Sequence, residues 1–353
     1  MNPTIEIASR KIGPGCPPYI IAEMSGNHNG DIERAFAIMK AAKAAGADAV
    51  KLQTYTADTI TLDADGPGFS IEGGLWHGRR LHELYVEAHT PWDWHPRLFE
   101  KGRELGITVF SSPFDETAID LLESCNAPAY KIASFEIVDV GLIRYAAKTG
   151  KPLIISTGMA TGEEIEEAVA AAREAGSGGL ALLHCVSGYP TPARDANLLK
   201  IRALADKFNC PIGLSDHTLG TEVAVAAVAL GATVIEKHLT LARADGGPDA
   251  AFSLEPAEVK LLVSGARTAF DAIGSANSGR AASELPNMIF RRSLYAVRDI
   301  AAGATFTREN VRSIRPAFGL APKELPEVLG RRAACVIARG TPLAWSMIEK
   351  KTP

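Results

Sequence analysis

The feature that most constrains this chain is an alternation. Eight short apolar, β-rich runs lie at 19–24, 48–53, 107–111, 129–133, 152–156, 180–185, 211–214 and 233–238, with Ala-rich amphipathic stretches between most of them. Continuous apolar strands separated by helices belong to parallel sheets covered on both faces. Eight such units in series describe a closed (β/α)₈ barrel, a TIM barrel of the α/β class; a doubly wound open sheet is the alternative. Local punctuation agrees. One helix opens after Asp31 and ends at Gly46, another opens after Thr161 and ends at Gly176. Asp and Thr side chains accept from free N–H groups at a helix start, and glycine takes the left-handed backbone at its end.

One connection is too long for a plain barrel. Residues 54–106 hold a predicted helix over about 91–105 and, before it, the insertion DADGPGFSIEGGLWHGRRLHELYVEA. Because it follows the second strand, it is expected on the face where barrel active sites form. After residue 275 the texture changes. Residues 1–275 read as the barrel, 276–290 as a small, polar linker, and 291–353 as a β-rich module. That module contains an echo, Asp299-Ile-Ala-Ala-Gly303 and Val336-Ile-Ala-Arg-Gly340, which predicts two similar turns. About 60 residues bury too little surface to stand without docking on something larger.

Several function classes fall away on composition. A net charge of −4 suits neither a nucleic-acid nor an anionic-membrane partner. The longest apolar stretch, 223–235, is interrupted by Gly231 and Thr233 and is shorter than the ~20 residues a span requires. The start MNPTIEIASRK has no apolar run of the signal-peptide kind. Five scattered cysteines without a C-x-x-C spacing fit a reducing cytoplasm better than a disulfide framework or a zinc ribbon.

In a parallel barrel the C-terminal strand ends share one mouth. Here those ends carry Glu23; Lys51 and Gln53; Ser111 and Ser112; Lys131, Ser134 and Glu136; Ser156 and Thr157; His184; Ser215, Asp216 and His217; and Glu236, Lys237 and His238. So many polar groups on apolar strands are expected to serve a site, since burying them unpaired is costly. His217 and His238 end consecutive strands and are placed to converge on one metal ion with open positions. Lys51 and Lys131 suit an anion clamp, a Schiff-base amine or a structural pair with Glu23 or Glu136. Nearby Ser134, Ser156 and Ser215 add weight to a clamp for phosphate and carboxylate. Asn27-His28-Asn29-Gly30 reads equally as a turn before the Asp31 cap or as a ligand loop, and Trp76, Trp92 and Trp94 as sugar-stacking rings or packing of the insertion.

The blocks IIAEMSGNHNG, GADAVKLQTYT, YKIASFE, IISTGMAT, HCVSGYPTP, GLSDHTLG and VIEKHLTL together resemble the nonulosonic (sialic) acid synthases, and the tail RRSLYAVRDIAAGATFTRENVRSIRPAFGLAP resembles their C-terminal antifreeze-protein-like SAF domain. Within that family, the strand-two insertion and GGPDAAFSLEP look most similar to the branch that makes pseudaminic acid. The resemblance implies condensation of phosphoenolpyruvate (PEP) with an acetamido-sugar aldehyde and release of phosphate by C–O cleavage. It implies one divalent ion, Mn²⁺ or Mg²⁺, on His217 and His238, and PEP held by Lys51, Lys131, Ser134, Ser156 and Ser215. Gln53, Glu136, Tyr189 and Asp249 match positions that face the sugar. Arg315 matches an arginine that reaches a partner subunit's site, which implies a domain-swapped homodimer. Ser187 departs from the pattern, standing where many sialate synthases carry Asn. Glu23 or Glu136 is the expected proton acceptor. The contrasting expectations are a Schiff-base aldolase using Lys51 or Lys131, a sugar-binding barrel without turnover, and a sialate or legionaminate synthase.

Overall fold

The computed structural model describes residues 3–275 and 279–350. The chain separates into two compact units, Met1–Gly274 and Ser275–Pro353.

The first unit opens with an antiparallel hairpin, β1 (Ile5–Ile7) and β2 (Arg10–Ile12). Eight parallel strands then close into a barrel: β3 (Tyr19–Glu23), β4 (Ala49–Thr54), β5 (Thr108–Pro113), β6 (Tyr130–Ile132), β7 (Leu153–Ser156), β8 (Leu180–Cys185), β9 (Ile212–Asp216) and β10 (Val234–His238). The expected (β/α)₈ barrel is therefore what forms, and the open-sheet alternative is not. Ringing it are α1 (Ile32–Ala45), α4 (His95–Leu105), α5 (Glu116–Ser124), α6 (Val140–Ala147), α7 (Gly162–Glu174), α8 (Leu199–Lys207), α9 (Glu222–Ala229) and α10 (Pro256–Ile273). Between β4 and α4 lie α2 (Ala57–Ile60) and α3 (Leu81–Ala88), which belong to the insertion. The start of α4 falls four residues after the predicted helix, because Trp92–Trp94 coil as a tighter turn before it.

The caps are built as the sequence implied. Asp31 accepts from Glu33 N–H, and Thr161 and Glu164 form a reciprocal capping box worth about 1 kcal/mol. Gly46 closes α1 at φ 92°.

Strand side chains alternate between two layers with period two. Ile20, Ala22, Val50, Leu52, Ile155, Leu182, Leu214 and Ile235 pack outward against the helices. Tyr19, Ile21, Ala49, Phe110, Ile154, Leu183 and Val234 point inward, and Ile5, Ile7 and Ile12 of the hairpin join them as a floor. At Gly213 a Cβ would come within 2.4 Å of the Val234 carbonyl and 2.6 Å of Leu183, so the interior has no room for a side chain there. This apolar filling closes the barrel below its C-terminal end, and that end alone is left for chemistry.

The second unit pairs β11 (Ser293–Ala296) with β12 (Val311–Ile314) around a core that includes Leu294, Phe306, Val328 and Leu343. The echo in the sequence is paired with itself. Ile300 and Ile337 exchange both backbone hydrogen bonds at 2.8 Å, and Gly303 and Gly340 each turn at positive φ. Residues 282–290, read as linker, instead coil into 3₁₀ turns from Ala282 to Phe290, with Glu284 bonded back to Ala281 N–H. Residues 276–278 of that linker lie outside the described ones. Among the described residues no helix is long and apolar enough to cross a membrane, and all five cysteines are free.

Candidate active site

The period-two rule sorts the polar strand ends into two groups. Ser215 and Glu236 stand side by side in register on β9 and β10 and face the barrel axis. Lys51 Nζ lies 3.2 Å from Glu23 Oε2, 3.2 Å from Glu236 Oε1 and 3.3 Å from Ser112 Oγ. Lys131 Nζ is 3.6 Å from the same Glu236 oxygen, to which Ser215 Oγ also donates at 3.1 Å. Gln53 donates to Glu23 Oε1 at 3.1 Å. Glu23, Lys51, Lys131, Ser156, Ser215 and Glu236 are all buried, and among the described residues Ser156 Oγ has no hydrogen-bond partner.

Four strand-end residues, His184, Asp216, Lys237 and Ser111, do not reach this mouth, contrary to the expectation that all would. His184 turns outward and donates from Nε2 to the Ala196 carbonyl at 2.6 Å. Asp216 and Lys237 pair with each other at 2.7 Å, both buried. Ser111 bonds Thr54 Oγ1, which in turn contacts His95 Nε2 at 2.8 Å. Each sits one residue out of phase with an inward neighbour.

Above the lysine layer the two histidines come together, with ring centroids 5.4 Å apart. His217 Nδ1 donates to the Val186 carbonyl at 3.0 Å, which fixes the tautomer and leaves the Nε2 lone pair available. His238 Nδ1 is buried without a partner among the described residues. Burial lowers the His217 pKa to about 4 and pushes His238 down as well, so both rings are neutral near pH 7, as a metal-binding imidazole must be. A backbone-anchored imidazole beside an orphaned one fits a divalent ion. Among the described residues no group of three or more His, Cys, Asp or Glu surrounds one point. An ion held by this pair therefore takes its remaining ligands from substrate or water, as catalytic ions do.

The charges are graded. Burial alone would raise Glu236, but Lys131 and Lys51 override it and hold its carboxyl down to about 2. Burial outweighs Lys51 at Glu23 and raises it to about 7, and burial likewise raises Glu136 to about 7. Burial pushes the Lys131 ammonium down against Glu236, whereas Glu23 and Glu236 together keep Lys51 above its ordinary value despite burial. Of the two carboxyls on Lys51, Glu236 is the one that stays charged.

A cavity of about 580 Å³ opens above this cluster, lined on its polar side by Gln53, Ser134, Glu136, Ser187, Tyr189, His238 and Asp249. Ser134 and Ser187 hydrogen-bond each other at 2.8 Å, so the departing position is part of the site. Glu136 Oε2 has no partner among the described residues. Asp249, by contrast, is engaged with the loop after β3, accepting from Gly26 N–H at 3.2 Å. Tyr189 packs against His217 with centroids 4.4 Å apart and the rings tilted by 51°. A cavity of about 630 Å³ lined by Phe99, Gly102, Arg103, Val109 and Cys125 is larger, but it lies between α4, β5 and α5 and has no converging polar set. Size does not mark the site here; convergent chemistry does.

The aromatic trio divides. Trp76 lines the cavity and donates Nε1–H to the Pro248 carbonyl at 2.8 Å. Trp92 donates to the Tyr55 carbonyl and Trp94 packs edge-on against His28, so these two are structural. Asn27 and His28 are structural too, since Asn27 Nδ2 bridges the Leu239 carbonyl and Ser253 Oγ. Arg315 belongs to the second unit, exposed just past β12. Sequence reasoning placed Glu236 among the polar strand ends but gave it no role of its own. Its signal was available: it shares strand parity with His238 two residues on.

Comparison with known proteins places this geometry. The NeuB family matches residues 38–278 and the SAF domain residues 291–349. The chain is 47% identical to a pseudaminic acid synthase of Campylobacter jejuni over 328 residues, 93% of this chain and 96% of that one. It is 38% identical to an N,N'-diacetyllegionaminic acid synthase of Legionella pneumophila, over 94% of each chain. The crystal structure of an N-acetylneuraminic acid synthetase from Leptospira borgpetersenii, in complex with citrate, superposes with TM-score 0.73 at 34% identity, over 82% of this chain and 96% of that one. With a family match across most of the barrel and near full-length relatives well above 30% identity, the chain belongs to the NeuB family of nonulosonic acid synthases and carries an SAF domain behind its barrel.

Proposed function

We propose that this protein is a pseudaminic acid synthase, a cytoplasmic transferase that condenses PEP with 2,4-diacetamido-2,4,6-trideoxy-L-altrose and water to give pseudaminic acid and phosphate. The observation that carries the reading is the stack of two layers. Two buried lysines and partnerless Ser156 form an anion-binding floor, and a convergent neutral His217–His238 pair sits at the mouth above them. The near full-length likeness to a pseudaminic acid synthase supports the choice of sugar.

Lys51, Lys131, Ser134, Ser156 and Ser215 bind PEP. Its carboxylate and phosphate compete with Glu23 and Glu236 for the two ammoniums. His217 and His238 would hold one divalent ion, Mn²⁺ or Mg²⁺, which polarises the aldehyde oxygen as a Lewis acid when bound. The PEP methylene carbon forms the new C–C bond to the aldehyde carbon, whose oxygen takes up a proton and becomes a hydroxyl. The former enol carbon, now cationic, is attacked by water. Glu136 accepts the water's proton: it lines the cavity and its Oε2 has no partner among the described residues, while Glu23 is already held by Gln53 and Lys51. Breaking of the C–O bond then expels phosphate, which carries away the remaining hydroxyl proton as the C=O forms, and leaves the keto acid. Gln53, Tyr189 and Asp249 position the sugar, and Arg315 completes the site from the partner chain of a domain-swapped homodimer.

The deciding assay is phosphate release from PEP with Mn²⁺, comparing the trideoxy-altrose with N-acetylmannosamine. Turnover of only the second would assign the chain to the sialate branch and sink the pseudaminate reading. The depressed Lys131 ammonium favours one rival, a Schiff-base aldolase. That rival requires borohydride trapping of pyruvate on Lys131, insensitivity to EDTA and no phosphate release.

A further inference from the structure

The reaction above employs only one side of the cavity. The same cavity is also lined by Ile71, Trp76, Leu81, Leu84, Tyr85 and Phe114, an apolar wall that, all but Phe114, comes from the insertion. This wall is braced from behind. Ile71 N–H donates to the Arg79 carbonyl and Leu81 N–H to the Phe69 carbonyl, both at 2.9 Å, around an antiparallel bridge between Ser70 and Arg80. The hairpin tip is pinned where Trp76 donates to Pro248, and Tyr85, Tyr55 and Phe114 lock edge to face at 5.6 and 5.1 Å. Ile71, Trp76 and Leu81 nevertheless remain only half-buried, so their apolar surface is turned to the cavity instead of a core. A hydroxyl placed against such a surface loses its hydrogen bonds to water and regains none, whereas a methyl group gains from leaving water.

We infer that the wall of Ile71, Trp76, Leu81 and Leu84 is the subsite for the C6 methyl group of a 6-deoxy sugar and sets the preference of this enzyme for deoxy over 6-hydroxy substrates. The inference rests on the synthase reading for the identity of the sugar, and the two are tested apart.

Binding of 2,4-diacetamido-2,4,6-trideoxy-L-altrose and of its 6-hydroxy counterpart is measured calorimetrically without PEP. The wild-type protein is expected to bind the 6-deoxy sugar roughly 10- to 100-fold more tightly, the range an apolar pocket achieves for such a difference. Ile71→Thr and Leu81→Asn, which keep each side chain's branching but make it polar, should each shrink that ratio to less than about threefold. Circular dichroism of both variants reports whether the fold is kept. Equal wild-type affinities, or a ratio untouched by both substitutions, overturn the subsite. Phosphate release with PEP is scored separately. Discrimination in binding without release sinks the synthase reading and supports the wall; release with equal binding does the reverse.

Discussion

At the residue scale, the site works by setting neighbouring groups to different charges with the same two ingredients, burial and lysine. Glu236 stays ionised because two ammoniums face it, while Glu136, farther from them, is governed by burial. If Glu136 takes the water's proton, kcat/KM should rise with unit slope as pH climbs toward about 7 and then level off. Glu136→Gln should remove that limb along with most of the rate. A profile flat from pH 5.5 to 7.5 would exclude this role. The stability consequence has the opposite sign. Glu23 and Glu136 are raised in the fold, so their contribution is full below the ordinary carboxylate range and is lost as pH rises through about 7. Glu236 is depressed, and its contribution is lost only as pH falls through about 2. His217→Ala and His238→Ala should each abolish metal-dependent turnover with the circular dichroism spectrum intact. A variant that keeps its activity takes that histidine out of the ligand pair.

At the scale of elements, one strand interior and one insertion matter most. β9 carries Gly213 where the barrel axis is most crowded, and Gly213→Ala would press a methyl against the Val234 carbonyl. A loss of about 1–3 kcal/mol in urea denaturation is expected, because the contact is with backbone that cannot move aside. A variant as stable as the parent would show the strand to be more yielding than this packing implies. The insertion was recognisable as a long segment placed over the mouth. That Trp76 would enter the cavity while Trp92 and Trp94 would not was undecidable from a run of similar residues. Their fates depend on distant carbonyls, Pro248 for one and Tyr55 for another.

At the scale of the whole molecule, Arg315 and the barrel site are proposed to come from different chains, which makes the arrangement testable by mixing. His217→Ala and Arg315→Ala homodimers should both be impaired, the second through the sugar KM far more than that of PEP. Co-expressed, they should form heterodimers in which one barrel with intact histidines receives an intact Arg315, and activity should reappear. Absence of complementation, with heterodimers verified by mass, would place Arg315 in its own chain's site or in none.

The sequence alone determined the barrel, its eight strands and the best-marked caps, because these depend on short-range physics: apolar periodicity, free N–H groups at helix starts and glycine's access to positive φ. Asp31, Thr161 and Gly46 each act within a few residues of their own position. Spacing also brought His217 and His238 together, since adjacent parallel strands hold their ends in register. Tertiary structure alone decided which polar ends face inward as a set, and that Glu236 bridges Lys51 of β4 and Lys131 of β6. Those three strands are far apart in the chain, and their side chains meet only because the sheet closes on itself and buries them away from the bulk solvent that would screen the charges.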